Sequence, residues 1–297
     1  KKIIAFAAKN DTSIIPRGGG TSLAGQVVGD GIVVDISKYM NQILEFNPEE
    51  GYVVVESGVV LAELNLFLAR HGLQFGPETS TANRCVIGGM LGNNSCGLHS
   101  LVYGSVREHI LEVDAILADG SETTFKPLSK SEFKEKLNGN PNKLEKAIYE
   151  NINEILSNAE NQKEIRDNFP DPKLTRRNMG YAIDVLLDSE VFTEGGETFN
   201  FCKLLAGSEG TLAFSYRIKL NVVPLPPKHK GLICAHFETL EESLLGNLVA
   251  LQHGPTAIEL MDHTIMECTK QNIEQNKNRF FVKGEPGAIL MIEFSYE

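Results

Sequence analysis

The chain has no tryptophan and only five cysteines in 297 residues. These thiols, Cys85, Cys96, Cys202, Cys234 and Cys268, are odd in number, widely scattered and never paired as C-x-x-C. That spacing excludes a disulfide framework or a thiolate cluster and reads as reduced, mostly buried side chains. No metal site is expected. Long hydrophobic runs are missing too: nothing approaches the ~20 apolar residues that cross a bilayer, and the amino terminus has neither a signal-peptide core nor a cleavage site. A cytoplasmic location is expected, with peripheral attachment to a membrane left open. Positive charge is scarce, 28 Lys and Arg against 39 Asp and Glu for a net charge of −11. The electrostatic footprint of a nucleic-acid binder is therefore absent, and an anionic ligand must be met by a local patch. What remains is 42% hydrophobic and long enough for one large or two ordinary domains with a real core.

Glycine is concentrated in a few places. In Pro16-Arg17-Gly18-Gly19-Gly20-Thr21-Ser22-Leu23-Ala24-Gly25-Gln26, three consecutive glycines let backbone N–H groups converge on one point, a nest for an anion. Thr21 and Ser22 add hydroxyl donors, Arg17 a charge at the rim, and Pro16 a stiff entry. A pyrophosphate suits this chemistry. A P-loop does not, because Gln26-Val27 stands where Lys and Ser/Thr must follow. The G-x-G-x-x-G dinucleotide fingerprint fails at Leu23, and Gly31–Ile36 reads as a strand rather than a crossover helix. A flexible surface turn is the plain alternative.

A second stretch, residues 76–104, alternates small, hydroxylated and glycine residues. It is too rich in apolar anchors for a linker and too rich in glycine for a regular helix. Close approach of its backbone to a flat ring and a polyol chain fits this composition, with Asn93, Asn94 and Ser95 as donors; a packing turn between two helices fits it as well. Cys96 and His99 invite catalytic roles, yet a lone Cys or His in such a loop is more often a packing or hydrogen-bonding residue. Leu204–Ala213 is a third small-residue turn. Arg176 and Arg177, ahead of Gly180-Tyr181, can clamp a carboxylate or simply offset neighbouring acids.

Between these stretches the periodicities predict a helix ending at Lys9, a strand at Ser13–Ile15, strands at Ile32–Ile36 and Gly51–Glu56, a helix over Leu61–His71, and a hairpin from Ile110 to Phe125 turning at Asp119-Gly120. Residues 126–172 read as an exposed, charged helical excursion. A strand over Ala213–Val223 leads to a stiff Pro224-Leu225-Pro226-Pro227 linker, the best domain boundary. Beyond it come a strand at Leu232–Phe237, helices at Leu240–His253 and Ala257–Lys270, and a strand at Ala288–Phe294, the opening of an α+β domain.

The trio PRGGGTSLAGQ, TANRCVIGGMLGNNSCG and LLAGSEGTLAF resembles the FAD-linked oxidases of the vanillyl-alcohol-oxidase/p-cresol-methylhydroxylase type, which include glycolate oxidase flavin subunits, D-lactate dehydrogenases and D-2-hydroxyglutarate dehydrogenases. The resemblance implies an α+β fold: a two-subdomain FAD-binding domain at 1–223, then the start of an α+β substrate (cap) domain at 228–297. It implies that Pro16, Arg17, Gly18, Gly19, Gly20, Thr21, Ser22 and Gly25 hold the FAD pyrophosphate. Pro77, Glu78, Thr79, Ala82, Gly88, Gly89, Asn93, Ser95 and Gly97 would line the ribityl and ring, backbone near Val113 would meet the nucleotide, and Glu209, Gly210 and Thr211 would close the pocket. FAD is expected to be noncovalent, since Gly20-Thr21 stands where covalent relatives carry His. Arg176, Arg177 and Tyr181 match an Arg-x-x-Gly-Tyr segment near the active site of relatives and are the catalytic candidates.

The implied activity is oxidation of a 2-hydroxy acid, of the D-lactate, glycolate or D-2-hydroxyglutarate type, by hydride transfer to flavin N5. An iron–sulfur protein or a quinone is the implied acceptor. The chain ends before the histidine-bearing metal motif and substrate arginines that such relatives carry. A non-catalytic flavin-binding or electron-relay module is the alternative, and an oxidase of sugar lactones or phenols would differ only in substrate.

Overall fold

The computed structural model describes residues 1–174, 176, 177 and 180–297, which divide into two compact units. The first comprises Lys1–Gly97 and Gly104–Pro224. It begins with α1 (Lys2–Lys9), which buries Ile4 and Ala7. Strands β1 (Ile14–Arg17) and β2 (Ile32–Asp35) then pair in parallel, from Ile14 opposite Ile32 to Arg17 opposite Asp35. The glycine run is the loop that joins them.

Five antiparallel strands form the main sheet: β3 (Ile43–Asn47), β4 (Tyr52–Glu56), β6 (Ile110–Ile116), β7 (Glu122–Phe125) and β8 (Phe214–Asn221), ordered β3-β4-β8-β6-β7. The two-residue period sorts their faces. Val53, Val55, Val113, Ala115, Ile218 and Leu220 are fully buried on one side. On the other, Arg217 pairs with Asp114 and Lys219 with Glu112, each at 3.1 Å. β3 was not foreseen, because Ile43-Leu44-Glu45-Phe46-Asn47 alternates weakly and runs straight into a turn. A short pair, β5 (Leu73–Gln74) with β9 (Val223–Pro224), completes the unit's strands.

The buried face of the sheet is covered by α2 (Leu61–Ala69), through Leu61, Leu64 and Leu68, and by α3 (Ile87–Asn93), through Ile87, Met90 and Leu91. The expectation that this glycine-rich stretch forms no regular helix is wrong. Ile87, Met90 and Leu91 fall at helical spacing, and their burial outweighs the cost of Gly88, Gly89 and Gly92. Asn94 ends α3 in the left-handed conformation at φ 48°. Its Oδ1 accepts from Ser105 Oγ (2.9 Å) and the Arg107 N–H (2.8 Å), which ties it to α5 (Val106–His109).

The excursion over 126–172 is also corrected. It forms α6 (Lys130–Gly139), α7 (Lys143–Ser157) and α8 (Ala159–Asn168), opened by side-chain caps from Ser129, Asn142 and Asn158. It is helical and charged, but not merely exposed. Phe133, Tyr149, Leu156 and Ile165 join the main core, and Phe199 packs on Phe133 and Phe201 with ring centroids 4.7 and 4.9 Å away. One face of each helix is apolar at helical spacing, and the charge lies on the other. α9 (Ile183–Leu187) and α10 (Cys202–Leu205) close the unit.

The second unit comprises Leu98–Tyr103 and Leu225–Glu297. Its sheet of β10 (His229–Phe237), β11 (Ala257–Asp262) and β12 (Ala288–Tyr296) is antiparallel in the order β10-β12-β11. With it go α4 (Ser100–Tyr103), α11 (Leu240–Leu251), α12 (His263–Gln271), α13 (Ile273–Lys277) and a 3-10 turn at Asn278–Phe281. The helix expected from Ala257 is a strand as far as Asp262, whose side chain then caps α12 at the Ile265 N–H (2.8 Å). His99 Nε2 lies 2.8 Å from Glu293 Oε1, which also accepts from Lys230 Nζ and Thr256 Oγ1, both at 3.0 Å. Among the described residues no helix is long and apolar enough to cross a membrane.

Candidate functional site

Loop 1, between β1 and β2, is held down by close backbone approach. A Cβ on Gly18 would stand 2.6 Å from Val86 Cγ2, and one on Gly19 would stand 2.4 Å from the Arg84 carbonyl. The run of glycines thus lets loop 1 lie directly against the entry to α3. Among the described residues, no backbone carbonyl accepts from the N–H groups of Gly18 to Ser22. Those donors, with the Thr21 and Ser22 hydroxyls, form the kind of nest that takes phosphate oxygens. Arg17 is less free than the sequence implied: its Nη1 donates to Asp35 Oδ2 at 2.6 Å and its guanidinium lies beside Gly20. Two hydrogen bonds from Ser37, followed in weight by Arg17, hold the Asp35 carboxyl below the usual range.

Loop 3, residues 204–213, meets both of the other stretches. Gly207 N–H donates to Leu91 O (3.0 Å) and Glu209 N–H to Gly92 O (2.9 Å), so the turn is laced to the end of α3. Gly210 faces the Pro16 ring, where an added Cβ would be 3.2 Å from Cγ. Glu209 adopts φ 53°, a left-handed conformation that an ordinary side chain rarely takes. Pro16, Gly18, Gly89, Gly92, Glu209 and Gly210 therefore form one contiguous patch.

The remaining expected positions divide. Gly88 lies against Ser57 and donates its N–H to Ser57 O (2.7 Å). Gly97 sits on the Glu78 backbone, where a Cβ would be 2.4 Å from the carbonyl. Asn93 Nδ2 donates to Ser95 Oγ (2.9 Å), and Thr79 Oγ1 contacts Cys85 Sγ (3.2 Å). Pro77 is buried. Ala82 accepts the Ala62 N–H at the start of α2 and packs on the core, a scaffold position. Val113 is fully buried in mid-strand, paired with Phe125 on one side and Ile218 on the other, so its backbone is committed to the sheet.

The catalytic candidates also part company. Tyr181 is half-exposed and its hydroxyl lies 2.6 Å from Thr211 Oγ1 on loop 3. Arg176 is exposed and its Nε donates to Cys96 Sγ (3.1 Å) at the end of the second stretch. Arg177 instead forms an ion pair with Asp184 in α9. Thr175, Asn178 and Met179 of that segment lie outside the described residues.

Two residues with a part in this site were not singled out. Arg107 is buried; its Nε donates to Lys203 O (2.9 Å), and its Nη2 to Ala206 O (2.6 Å) and Gly180 O (3.3 Å), stapling α10 and loop 3 to α5. Burial lowers its pKa from the ordinary arginine value. The signal was the capping pattern Ser105-x-x-Glu108 around an arginine, which only the structure shows turned inward. Gln26, just after Gly25, lies near enough to the Glu209 carboxyl to favour its ionised form, while its Oε1 is buried and, among the described residues, without a partner.

Comparison with known proteins agrees with this geometry. Residues 1–126 match the family model described as a FAD binding domain. The chain is 37% identical over 259 residues to a D-2-hydroxyglutarate dehydrogenase of Escherichia coli (strain K12), covering 87% of this chain and 24% of that protein. It is 34% identical over 285 residues to one from Pantoea ananatis (strain AJ13355), covering 96% of this chain and 27% of that protein. The chain thus spans about a quarter of the length of these relatives. A solved structure of alkyldihydroxyacetonephosphate synthase shares the fold, with TM-score 0.60 at 16% identity over 99% of this chain and 45% of the other. A nest of amides and hydroxyls beside tightly apposed glycine turns agrees with this match, and residues 1–126 are a FAD binding domain of the FAD-linked oxidase type.

Proposed function

We propose that the chain is the flavin-binding part of a FAD-dependent dehydrogenase acting on a D-2-hydroxy acid, with D-2-hydroxyglutarate as the substrate class favoured by its relatives' names. The observation that carries the reading is the meeting of loop 1, the start and end of α3, and loop 3 in one patch, with the N–H donors of Gly18 to Ser22, which no backbone carbonyl of the described residues accepts, beside it. In this reading Gly18 to Ser22 take the diphosphate, and Gly89, Asn93, Ser95 and Gly97 border the path of the polyol and ring. When bound, FAD supplies the acceptor for the hydride leaving the substrate's C2. The chain's own contribution is to hold and orient. Arg176, held on Cys96, offers a guanidinium to the substrate carboxylate, and Tyr181 is braced by Thr211 of loop 3. Arg177 serves the fold through Asp184. Electrons would then leave to an iron–sulfur protein or a quinone.

The test is reduction under anaerobic conditions. The whole FAD-loaded protein of which this chain is the flavin-binding part is mixed with D-2-hydroxyglutarate, D-lactate or glycolate and its oxidised-flavin absorbance is followed. Bleaching by D-2-hydroxyglutarate supports the reading. A flavin that binds but is bleached by none of the three contradicts it and leaves a relay role.

A further inference from the structure

In the second unit, α11 is inverted for a surface helix. Ser243, Gly246 and Ala250 fall at helical spacing and form the face laid on the sheet: Ser243 and Ala250 are buried, and a Cβ on Gly246 would stand 2.5 Å from Phe237 Cζ. These are its smallest side chains. The larger ones look outward, with Leu244, Leu245, Leu248 and Val249 each 53–61% exposed. A helix that faces water ordinarily turns its leucines to the core, and a contiguous exposed apolar patch marks an interface.

The strand before this helix is uncovered as well. β10 is an edge of the order β10-β12-β11, and among the described residues no strand pairs with its outer side. Its middle, Gly231-Leu232-Ile233-Cys234-Ala235, carries no charge, and Leu232 and Ile233, on opposite faces, are 63% and 54% exposed. Ile233 stands opposite Ile292, which packs in the cluster under α11, so Ile233 and Gly231 lie on α11's side of the sheet. Apart from its chain neighbours, no described atom lies within 4 Å of where a Gly231 Cβ would be. The helix thus roofs β12 and leaves β10 bare. The other edge differs: β11 carries Glu259 and Asp262, the charges that keep a free edge from pairing, whereas a long uncharged edge is a template for another strand.

We propose that the β10 edge and the outward face of α11 dock a strand and a helix of the same polypeptide from outside residues 1–297, the strand antiparallel to β10 and the helix against Leu244 and Leu248. Two observations name this occupant. The chain spans about a quarter of the length of its relatives, which leaves ample polypeptide to supply it. The topology then says how it fits: β10 and β11 run parallel, joined through α11 with β12 between them, which is one half of a split β-α-β pair. A right-handed crossover from β12 to the β10 edge is the other half, and it lays its helix on α11's side, over Gly231 and Ile233. The docking involves no flavin, so it stands or falls apart from the FAD reading.

The experiment compares the chain with the whole protein. Hydrogen exchange, read by mass spectrometry on the β10 peptide, counts its bonded amides. A strand paired on one side only leaves about half of them unprotected, the state expected of the chain alone; in the whole protein nearly all are expected to be slow. In Leu248→Cys, alkylation of the new thiol is expected to be at least about tenfold slower in the whole protein than in the chain, as burial demands, and both effects are expected at every protein concentration. A β10 peptide that exchanges alike in the two, or a thiol that reacts alike in the two, overturns the proposal. Protection lost on dilution, with the mass falling from dimer to monomer, also overturns it and assigns the surface to a second copy.

Discussion

Gly19 is the position where a single methyl has the largest consequence. An alanine there places its Cβ 2.4 Å from the Arg84 carbonyl, a backbone atom that cannot swing aside. Overpacking of this sort costs about 1–3 kcal/mol, and here it pushes loop 1 off α3. Gly19→Ala is expected to weaken FAD binding about tenfold or more by that strain, measured as Kd by fluorescence quenching. Arg107 acts at the same scale through carbonyls. Arg107→Met strips donors from Lys203, Ala206 and Gly180 and is expected to lower unfolding free energy by about 3 kcal/mol, read from urea denaturation. Arg107→Lys recovers only part, because an ammonium does not reproduce the planar fork. Glu209 supplies a pH dependence. Partial desolvation, opposed by the nearby Gln26 amide, raises its carboxyl above the ordinary glutamate value. The folded chain therefore holds that proton more tightly than the unfolded one, a contribution fully present below the ordinary glutamate pKa and lost as pH rises through the raised value. Glu209→Gln removes this dependence, so the difference in Tm between variant and parent moves in the variant's favour as pH climbs across the carboxylate range. Thermal scans on both sides of that range measure it.

At the scale of elements, residues 130–168 show what periodicity says and what it leaves out. The helical spacing and the caps Ser129, Asn142 and Asn158 are readable in one dimension. What the apolar face meets is not, since Phe199 and Phe201 lie a long way along the chain from Phe133 and Tyr149. Phe133→Ala is expected to cost about 3–5 kcal/mol by leaving a cavity in that aromatic cluster, and a calorimetric scan tests it; an effect within the error of the scan would return the excursion to the surface. The same contrast runs through the site. The glycine runs and the close backbone approach they permit were legible, because few other residue patterns allow such contact. The commitment of Val113 and Ala82 to scaffold, the pairing of Arg17 with Asp35 and the inward turn of Arg107 were not, because each depends on a partner brought by tertiary structure. The misread helix at Ala257 has a local cause: Ala-Ile-Glu-Leu-Met-Asp suits either period, and pairing with β12 decides it.

For the whole molecule, the account makes residues 1–126 and loop 3 a single cofactor-binding body and leaves the chemistry of turnover to the protein as a whole. Its central claim is that this body binds FAD. The direct measurement is titration of the purified chain with FAD, following flavin fluorescence and the thermal unfolding midpoint together. The account predicts saturable quenching at one FAD per chain and a Tm that rises with FAD concentration, both lost in Gly19→Ala. Fluorescence and Tm that stay unchanged as FAD is added would contradict it.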